Sequence, residues 1–336
     1  MRKMKNIKSH LSEFKEQLQA SKNIVILTHH RPDGDAIGSS LALALFLKKK
    51  GFFPQVIIPS AFSEQFNFLK GVEDVLNFET EREKTIRLIE EAELIFCLDF
   101  NSIARLNQLA TILSRAKAPK IMVDHHPEPD NFAKFEYCND KYGSTAELIY
   151  ELILMIDSDY QFETSVAEAI YTGILTDTGM FQYPSTRAET FKIAANLFDA
   201  GVNGNKIFNH IYNNYSENRL KFLGYSISEK MKVFPDKNAA MIFINREEID
   251  RFELGIGDTE GLVNYPLKLT GIKFSTLIIE REDLVKLSFR SIEDFDVNDF
   301  ARKHFLGGGH KNAAGGQSKL SLEKTVQKFI RILDTL

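Results

Sequence analysis

The fold of this chain is decided by the stretch Ile121-Met122-Val123-Asp124-His125-His126, an apolar run that ends on three polar residues of ligand type. Two other stretches have the same design. Ile24 to Leu27 leads into His29-His30-Arg31-Pro32-Asp33-Gly34-Asp35, and Leu94 to Leu98 ends on Asp99. Helical patterns separate the three runs, which predicts an α/β fold with a doubly wound parallel sheet. Ligands of such sheets collect outside the carboxyl ends of the strands, so these acids and histidines should converge.

The length and charge of the chain limit what it can be. Its 336 residues are enough for two domains of ordinary size, each with its own core. The formal net charge of −4 argues against binding to long duplex nucleic acid, because the affinity of such binding comes mostly from neutralising many phosphates. A short anionic substrate remains compatible with this charge.

The cysteines and the apolar runs indicate the cellular compartment of the protein. Cys97 and Cys138 are far apart and form no CxxC pair, so neither a disulfide framework nor a zinc–thiolate site is expected. Cys97 lies inside a predicted strand and is interpreted as a core residue. No signal peptide precedes Ile24, and the apolar stretches fall short of the roughly 18 residues that suggest a membrane span. We therefore expect a cytoplasmic protein without a membrane partner.

Up to Val123 the chain alternates strand and helix patterns. The further elements predicted there are a helix within residues 1–20, helices over Asp35–Lys50, Glu81–Glu91 and Leu106–Ala116, and a strand over Val56–Ile58. Helical spacing then continues over Thr145–Ile156, Val166–Leu175, Arg187–Ala200 and Glu217–Lys230. The domain boundary is therefore expected to run through helix. We predict a catalytic domain over residues 1–190 and a helical linker over residues 191–228.

Residues 229–336 predict a smaller α+β domain. Its strand and then helix patterns cover Ala240–Ile244, Lys273–Glu280, Leu284–Arg290, Phe300–Phe305 and Leu322–Leu333. The two helices flank the glycine-rich stretch Gly307-Gly308-Gly309-His310. Glycines let a backbone approach a ligand and present N–H groups to a phosphate, although a bare glycine triplet is more often a flexible turn.

Eight polar residues are the candidates for chemistry. Oxygen and imidazole ligands without thiolate favour magnesium or manganese, and manganese best where histidines join carboxylates. Acids gathered near one point repel unless cations lie among them, and two divalent ions about 3.5–4 Å apart would also activate a water and neutralise a phosphoryl group. The candidates are His29, Asp33, Asp35, Asp99, Asp124, His125, His126 and Asp177.

Each candidate taken singly also has a plain structural interpretation. Pro-Asp-Gly is ordinary turn chemistry, and a lone histidine is more often half-buried than a ligand. Asp33 and Asp35 are expected on a loop, pointing the same way, with Gly34 letting the backbone turn between them. It is the joint placement at three strand ends that favours a shared site.

Four motifs carry a resemblance to a known family. They are THHRPDGDAIGS at Thr28–Ser39, LDF at Leu98–Phe100, VDHH at Val123–His126 and GILTDTGMF at Gly173–Phe181. In these motifs the chain resembles the DHH phosphoesterase superfamily, within it the nano-RNase branch of bifunctional oligoribonucleases and 3′-phosphoadenosine 5′-phosphate phosphatases. LSFRS at Leu287–Ser291 and GGGHKNAAG at Gly307–Gly315 are similar to the domain that accompanies the catalytic domain in this family.

The resemblance implies two divalent metal ions, Mn²⁺ in preference to Mg²⁺, that share Asp99. The ligands of one ion would be His29, Asp33 and Asp99. The ligands of the other would be Asp35, Asp99, His125 and Asp177. It further implies that Asp124 orients its neighbours and that His126 faces the substrate phosphate or the leaving oxygen. Arg105 would lie near the phosphate, although a surface charge at a helix start is an alternative for it.

In the second domain the resemblance implies a substrate-binding surface. Arg290 could form paired hydrogen bonds with a terminal phosphate, and His310 could stack on a base or hydrogen-bond to it beside Gly307, Gly308 and Gly309. Ser144 and Thr145 have two interpretations: hydrogen bonding near the cleft, or a helix N-cap, since Glu147 follows Ser144 by three residues.

We therefore expect an enzyme that removes 5′-mononucleotides from very short RNA and the 3′-phosphate from 3′-phosphoadenosine 5′-phosphate. Within the superfamily, hydrolysis of linear or cyclic dinucleotides, pyrophosphate or polyphosphate is the alternative. A nucleotide-sensing regulator without turnover is an alternative of a different class, but it would have little need for the complete ligand set. A homodimer is plausible, although no residue indicates one.

Overall fold

The computed structural model describes residues 4–255 and 257–335. The chain divides into two compact units, Met1–Asn214 and Tyr215–Leu336. Each unit contains one sheet with its own hydrophobic core, as the sequence predicts for a two-domain α/β chain. None of the helices in the described ranges is at once long and apolar enough to cross a membrane.

Most strands of the first unit alternate with helices, and the unit is helical after its last strand. Its strands are β1 (Lys5–Asn6), β2 (Asn23–Leu27), β3 (Phe53–Ile58), β4 (Leu76–Asn77), β5 (Leu94–Leu98), β6 (Lys120–Asp124) and β7 (Phe135–Cys138). Its helices are α1 (Leu11–Gln19), α2 (Gly34–Lys49), α3 (Arg82–Glu91), α4 (Leu109–Arg115), α5 (Thr145–Ile156), α6 (Thr164–Asp177), α7 (Ala188–Asp199) and α8 (Gly204–Tyr212).

The seven strands form one sheet in the order β1-β7-β6-β5-β2-β3-β4, and every pair in it is parallel. The chain runs outward from β2 through β3 to β4, and β5 then returns to the opposite side of β2. The order of strands therefore reverses between β2 and β5, which is where sheets of this kind bind their ligands. Leu98 pairs with Val123, so β5 and β6 end level with each other.

Both faces of this sheet are covered. Along β5, Leu94, Phe96 and Leu98 pack in the cluster with α1, α2 and α5–α8, whereas Ile95 and Cys97 pack against α3 and α4. Alternate residues of a strand point to opposite faces, so a strand buried on both sides becomes a continuous apolar run. This explains the apolar pattern in the sequence, and the interpretation of Cys97 as a core residue is confirmed.

The helix predicted within residues 1–20 is shorter than expected. Lys5–Asn6 forms a strand instead, because the N–H of Lys5 bonds to the carbonyl of Lys134 and that of Ile7 to the carbonyl of Glu136. The helix itself begins at Leu11. Residues 1–3 of the predicted helix lie outside the described residues.

The second unit contains a six-stranded mixed sheet in the order β12-β13-β11-β10-β9-β8. Its strands are β8 (Met231–Phe234), β9 (Ala239–Ile244), β10 (Phe274–Glu280), β11 (Val285–Ser291), β12 (Leu306–His310) and β13 (Ala313–Ser318). Its helices are α9 (Glu217–Ser228), α10 (Arg246–Arg251), α11 (Val297–His304) and α12 (Leu322–Leu333).

The glycine-rich stretch is a strand and not a turn between helices. β12 pairs antiparallel with β13, so Gly307 lies opposite Gly316 and Gly309 opposite Ala314. A Cβ atom on Gly307 would lie 2.0 Å from the carbonyl oxygen of Gly315, so a side chain there would collide with the neighbouring strand. At least part of the glycine content therefore serves the pairing of these two strands.

The predicted linker over residues 191–228 is divided between the two units. In α7 and α8, Leu197 and Ile207 belong to the core of the first unit, whereas Phe222 of α9 packs with Ile242 in the second. Each of these helices has an apolar side that a core covers.

Candidate metal centre

The first motif ends β2 and begins α2. Asp33 is the N-cap of α2, and its Oδ1 accepts hydrogen bonds from the N–H groups of Asp35 and Ala36, each at 3.1 Å. Asp35 therefore lies in the first turn of a helix, and the expectation that both acids share an extended loop is wrong. Gly34 is also helical. Its missing side chain leaves room for α6, because a Cβ there would lie 2.5 Å from Oγ1 of Thr176.

His29, Asp33 and Asp99 form the first of two clusters. Nε2 of His29 lies 3.3 Å from Oδ2 of Asp99 and 3.7 Å from Oδ2 of Asp33. The other ring nitrogen, Nδ1, lies 3.0 Å from the carbonyl oxygen of His30, a contact that forms when Nδ1 carries the proton. The lone pair of Nε2 then points at the two carboxylates, as in a histidine that binds metal.

Asp35, His125 and Asp177 form the second cluster. Nε2 of His125 lies 3.1 Å from Oδ2 of Asp177 and 3.9 Å from Oδ2 of Asp35. Its Nδ1 lies 3.2 Å from the carbonyl oxygen of Tyr142, which repeats the arrangement of His29. In each cluster the ligand-type atoms lie within 4.8 Å of one another.

Asp99 stands between the two clusters. Its Oδ2 faces His29, whereas its Oδ1 lies 3.6 Å from Nε2 of His125. The residue is almost fully buried and has a left-handed φ of 63°, a conformation that aspartate adopts more readily than most residues. Its N–H still bonds to the carbonyl of Val123, so the backbone turns only after the pairing of β5 with β6 is complete.

The electrostatics of the clusters favour a cation. Burial raises the pKa of Asp35 well above its usual value, and the negative charge of Asp99 raises it further. Burial alone would lower the pKa of His29, but the adjacent carboxylates of Asp33 and Asp99 raise it to about 10. Asp35 and His29 therefore hold their protons more tightly than the isolated side chains would. A divalent cation would supply the same positive charge in place of those protons.

The donor set fits such a cation. It consists of carboxylate oxygens and imidazole nitrogens without a thiolate, which suits Mg²⁺ or Mn²⁺. Nε2 of His29 is buried and makes no hydrogen bond with any of the described residues. A buried nitrogen lacking such a bond is costly unless a ligand takes its lone pair, so the residues fit a metal ion.

Asp124, His126 and Arg105 form a chain of contacts beside the clusters. Oδ1 of the fully buried Asp124 lies 2.8 Å from Nδ1 of His126, and Nη1 of Arg105 lies 2.9 Å from Nε2 of His126. A guanidinium can only donate, so Nε2 accepts and Nδ1 carries the proton. Arg105 also donates to the backbone carbonyl of Asp99 at 3.3 Å. It therefore faces the site and is not simply a surface charge.

Both interpretations of Ser144 and Thr145 hold. Ser144 is the N-cap of α5 and accepts a hydrogen bond from the N–H of Glu147 at 3.2 Å. Thr145 contacts the site, because its Oγ1 donates to Oδ1 of Asp99 at 3.0 Å and its N–H donates to Oδ2 of Asp35 at 2.6 Å. The capping box in the sequence indicates that a helix begins here, but not what its first turn faces.

In the second unit, the predicted substrate-binding residues share one row of the sheet. Arg290 on β11 and His310 on β12 are both register partners of Ala313 on β13. Residues opposite each other on paired strands point to the same face, so the two side chains lie on one side of the sheet. Both are half-buried, and Nη1 of Arg290 bonds to the carbonyl of Phe289 at 2.9 Å.

These features together define a class of protein: a phosphoesterase whose acid and histidine clusters lie at the carboxyl ends of a parallel sheet. Residues 23–174 match the family model described as the DHH family, N-terminal domain, and residues 243–336 match the DHHA1 domain. The chain belongs to the DHH family and is a hydrolase.

Relatives of known name extend over nearly the whole chain. It is 30% identical over 297 residues to the bifunctional oligoribonuclease and PAP phosphatase NrnA of Bacillus subtilis (strain 168), covering 87% of this chain and 88% of the relative. An exopolyphosphatase-related protein from Bacteroides fragilis has a similar structure, with a TM-score of 0.92 at 38% identity over 98% of this chain and 96% of that one. RecJ in complex with Mn²⁺ from Thermus thermophilus shares the fold, with a TM-score of 0.57 at 11% identity over 99% of this chain and 55% of that one.

Proposed function

We propose that this enzyme hydrolyses short oligoribonucleotides to 5′-mononucleotides and 3′-phosphoadenosine 5′-phosphate to AMP, using two divalent metal ions. The observation that carries the proposal is Asp99, which turns one carboxylate oxygen toward each acid–histidine cluster. The relative from Bacillus subtilis bears both activities in its name and matches most of the chain. Mn²⁺ suits the mixture of histidines and carboxylates better than Mg²⁺.

The two clusters correspond to two ion sites that share Asp99. When bound, the ions supply a nucleophilic water and neutralise charge on the phosphoryl group. The residues that would hold the first ion are His29, Asp33 and Asp99. The residues that would hold the second are Asp35, Asp99, His125 and Asp177.

His126 and Arg105 act on the substrate, and Asp124 orients His126. Arg105 pairs with a phosphate oxygen, since its planar group matches phosphate geometry. The carboxylate of Asp124 orients the ring of His126 through Nδ1, and Nε2 faces the substrate phosphate or the leaving oxygen once Arg105 pairs with the phosphate. In the second unit, Arg290 and His310 bind the end of the substrate, through its phosphate and its base respectively, beside the backbone of Gly307–Gly309.

A panel of substrates assayed with Mn²⁺ tests the proposal. It contains RNA oligomers of two to ten nucleotides, 3′-phosphoadenosine 5′-phosphate, cyclic dinucleotides and polyphosphate. We expect the shortest RNAs and 3′-phosphoadenosine 5′-phosphate to have the highest kcat/KM. The name of the Bacteroides fragilis relative favours polyphosphate as the second candidate substrate. Turnover of polyphosphate without turnover of either nucleotide class would refute the proposal.

The enzyme should cut from an end of the substrate. If Arg290 and His310 hold one end of a short substrate while the metal ions cut near the other, cleavage begins at an end. Mononucleotides should then appear from the first time point in a digest of a labelled pentanucleotide, separated by gel or liquid chromatography. An initial pool of internal fragments would contradict end-directed cleavage.

Replacing Arg290 with glutamine should weaken substrate capture. A hydrogen bond to a charged group contributes about 1.5–3 kcal/mol, so kcat/KM for a dinucleotide should fall about tenfold or more. Bis-p-nitrophenyl phosphate offers little to a capture surface, and its slow hydrolysis should fall less. Arg331→Gln, the same change at an exposed position on α12, is the control and should leave both rates unchanged. Equal loss on the two substrates would place Arg290 in the chemical step.

A further inference from the structure

The first turn of α5 holds two carboxylates of the candidate metal centre. The N–H groups of Thr145 and Ala146 donate to Oδ2 and Oδ1 of Asp35 at 2.6 and 2.8 Å, and Oγ1 of Thr145 donates to Oδ1 of Asp99 at 3.0 Å. The N–H groups of a first helical turn have no partner within the helix, so they are available to bind an anion. A carboxylate oxygen accepts two hydrogen bonds, and each of these oxygens therefore keeps a lone pair for a cation.

Glu147, a buried carboxylate that belongs to neither cluster, anchors this turn. Glu147, the third residue of α5, is fully buried. Its Oε1 accepts from the N–H of Gly143 at 3.0 Å, and its Oε2 accepts from Nη2 of Arg187 at 2.9 Å and from Oγ1 of Thr190 at 3.1 Å. Glu147 therefore links the segment before Thr145 to the start of α7.

The same ion pair restrains the segment that follows Asp177. Arg187 is the N-cap residue of α7 and lies over the ring of Tyr142, 3.9 Å from its centroid. Between Asp177 and Arg187, Gly179, Met180 and Phe181 all have left-handed φ angles, of 56°, 61° and 62°. Such a turn persists only where its surroundings hold it, and the bond from Arg187 to Glu147 fixes its far end.

Stability alone does not explain a fully buried charge such as Glu147, even paired with the half-buried Arg187, because apolar residues of similar volume often stabilise a core as well or better. We propose that Thr145, Glu147 and Arg187 are positioning residues of the metal centre. Thr145 orients Asp35 and Asp99, while the Glu147–Arg187 pair fixes the turn that carries Thr145 and the segment that leaves Asp177. The inference rests on the proposed two-ion function and adds what sets the geometry of its ligands.

Three substitutions test the proposal on the whole chain, with Mn²⁺ binding to the metal-free protein measured by titration calorimetry. Thr145→Val removes the hydroxyl while keeping the shape, and it should weaken Mn²⁺ binding roughly tenfold, as loss of a group that orients metal ligands usually does. Thr145→Ser retains the hydroxyl and should restore binding. Glu147→Gln removes the charge and should raise both the Mn²⁺ dissociation constant and the Mn²⁺ concentration for half-maximal activity, with KM for a dinucleotide unchanged.

The chain offers a matched control for Glu147. Glu248 is likewise the third residue of its helix, α10, is almost fully buried, and pairs with Lys230 at 2.6 Å, but it lies in the second unit. Both Glu147→Gln and Glu248→Gln should lower the melting temperature. Only Glu248→Gln should leave Mn²⁺ binding unchanged.

Three results would overturn the inference: unchanged Mn²⁺ binding by Thr145→Val, equal weakening by Glu248→Gln, or no Mn²⁺ binding by the unsubstituted protein. A protein that binds Mn²⁺ but hydrolyses no nucleotide would refute the proposed substrates alone. The calorimetry would then still decide on the role of the three positioning residues, because it needs no substrate.

Discussion

Asp99→Asn is expected to lower kcat/KM for a dinucleotide by roughly a thousandfold or more. One oxygen of Asp99 faces each cluster, so the substitution removes a negative charge from both proposed ion sites at once. A unit charge at 4 Å contributes about 4 kcal/mol at an effective dielectric constant of 20, which corresponds to nearly three powers of ten in rate. Asparagine has the same shape, so folding should be retained.

Metal content and kinetics measured together check this expectation. Elemental analysis should show both ions depleted in Asp99→Asn, whereas Asp124→Asn should keep more metal, because Asp124 contacts His126 and orients it. Asp159→Asn, at an exposed position, is the surface control. EDTA treatment of the unsubstituted enzyme should reproduce the loss, and added Mn²⁺ should reverse it. Near-normal turnover by Asp99→Asn, or after EDTA, would contradict the two-ion mechanism.

The sequence predicts those elements whose pattern is local. The observed bounds of Leu94–Leu98, Thr145–Ile156 and Leu322–Leu333 are the predicted ones, because burial on both faces or on one helical side leaves a clear period. The two-residue strand Lys5–Asn6 has too few residues to show any period. It exists only because the backbone of β7 lies beside it, and no pattern within residues 1–20 reports that.

The candidate site also has features that the sequence predicts and features that it does not. The clusters combine residues that follow three neighbouring strands with Asp177 at the end of α6, and the strand ends alone indicate that most of them converge. The contacts of Thr145 were not predictable to this level, since a capping box describes only its own helix. The direction of the Asp35 side chain could not be predicted from the alternation of an extended chain. With Asp33 as its N-cap, the helix begins one residue earlier than the pattern indicates.

Gly173 is the clearest case of a role that the sequence alone does not show. It lies in the middle of α6, where glycine normally costs a helix up to about 1 kcal/mol relative to alanine. A Cβ atom here would lie 2.6 Å from Cβ of Ala146 and 2.7 Å from Oδ1 of Asp35. Gly38 lies on α2 one turn after Asp35. A Cβ on Gly38 would lie 2.4 Å from the carbonyl oxygen of Ala169 on α6. The missing side chains thus let the helix that carries Asp35 approach α6 closely.

Gly173→Ala is therefore expected to damage both the core and the site. Overpacking of this kind costs about 1–3 kcal/mol of the free energy of unfolding, and displacement of a reacting group by 1 Å costs about a hundredfold in rate. We expect a lower melting temperature, weaker Mn²⁺ binding by calorimetry, and a fall in kcat of roughly a hundredfold at saturating Mn²⁺.

Gly224→Ala makes the same chemical change within a helix, at an exposed position of α9 where a new Cβ would meet nothing within 4 Å. Only the gain in helix propensity remains there, so this variant should be more stable by about 0.5–1 kcal/mol, with unchanged metal binding and activity. The two substitutions are expected to change the free energy of unfolding in opposite directions. This difference separates the effect of helix propensity from the effect of close packing between α2 and α6. If Gly173→Ala were also stabilised and bound Mn²⁺ normally, the spacing between α2 and α6 would not be what places Asp35 beside His125 and Asp177.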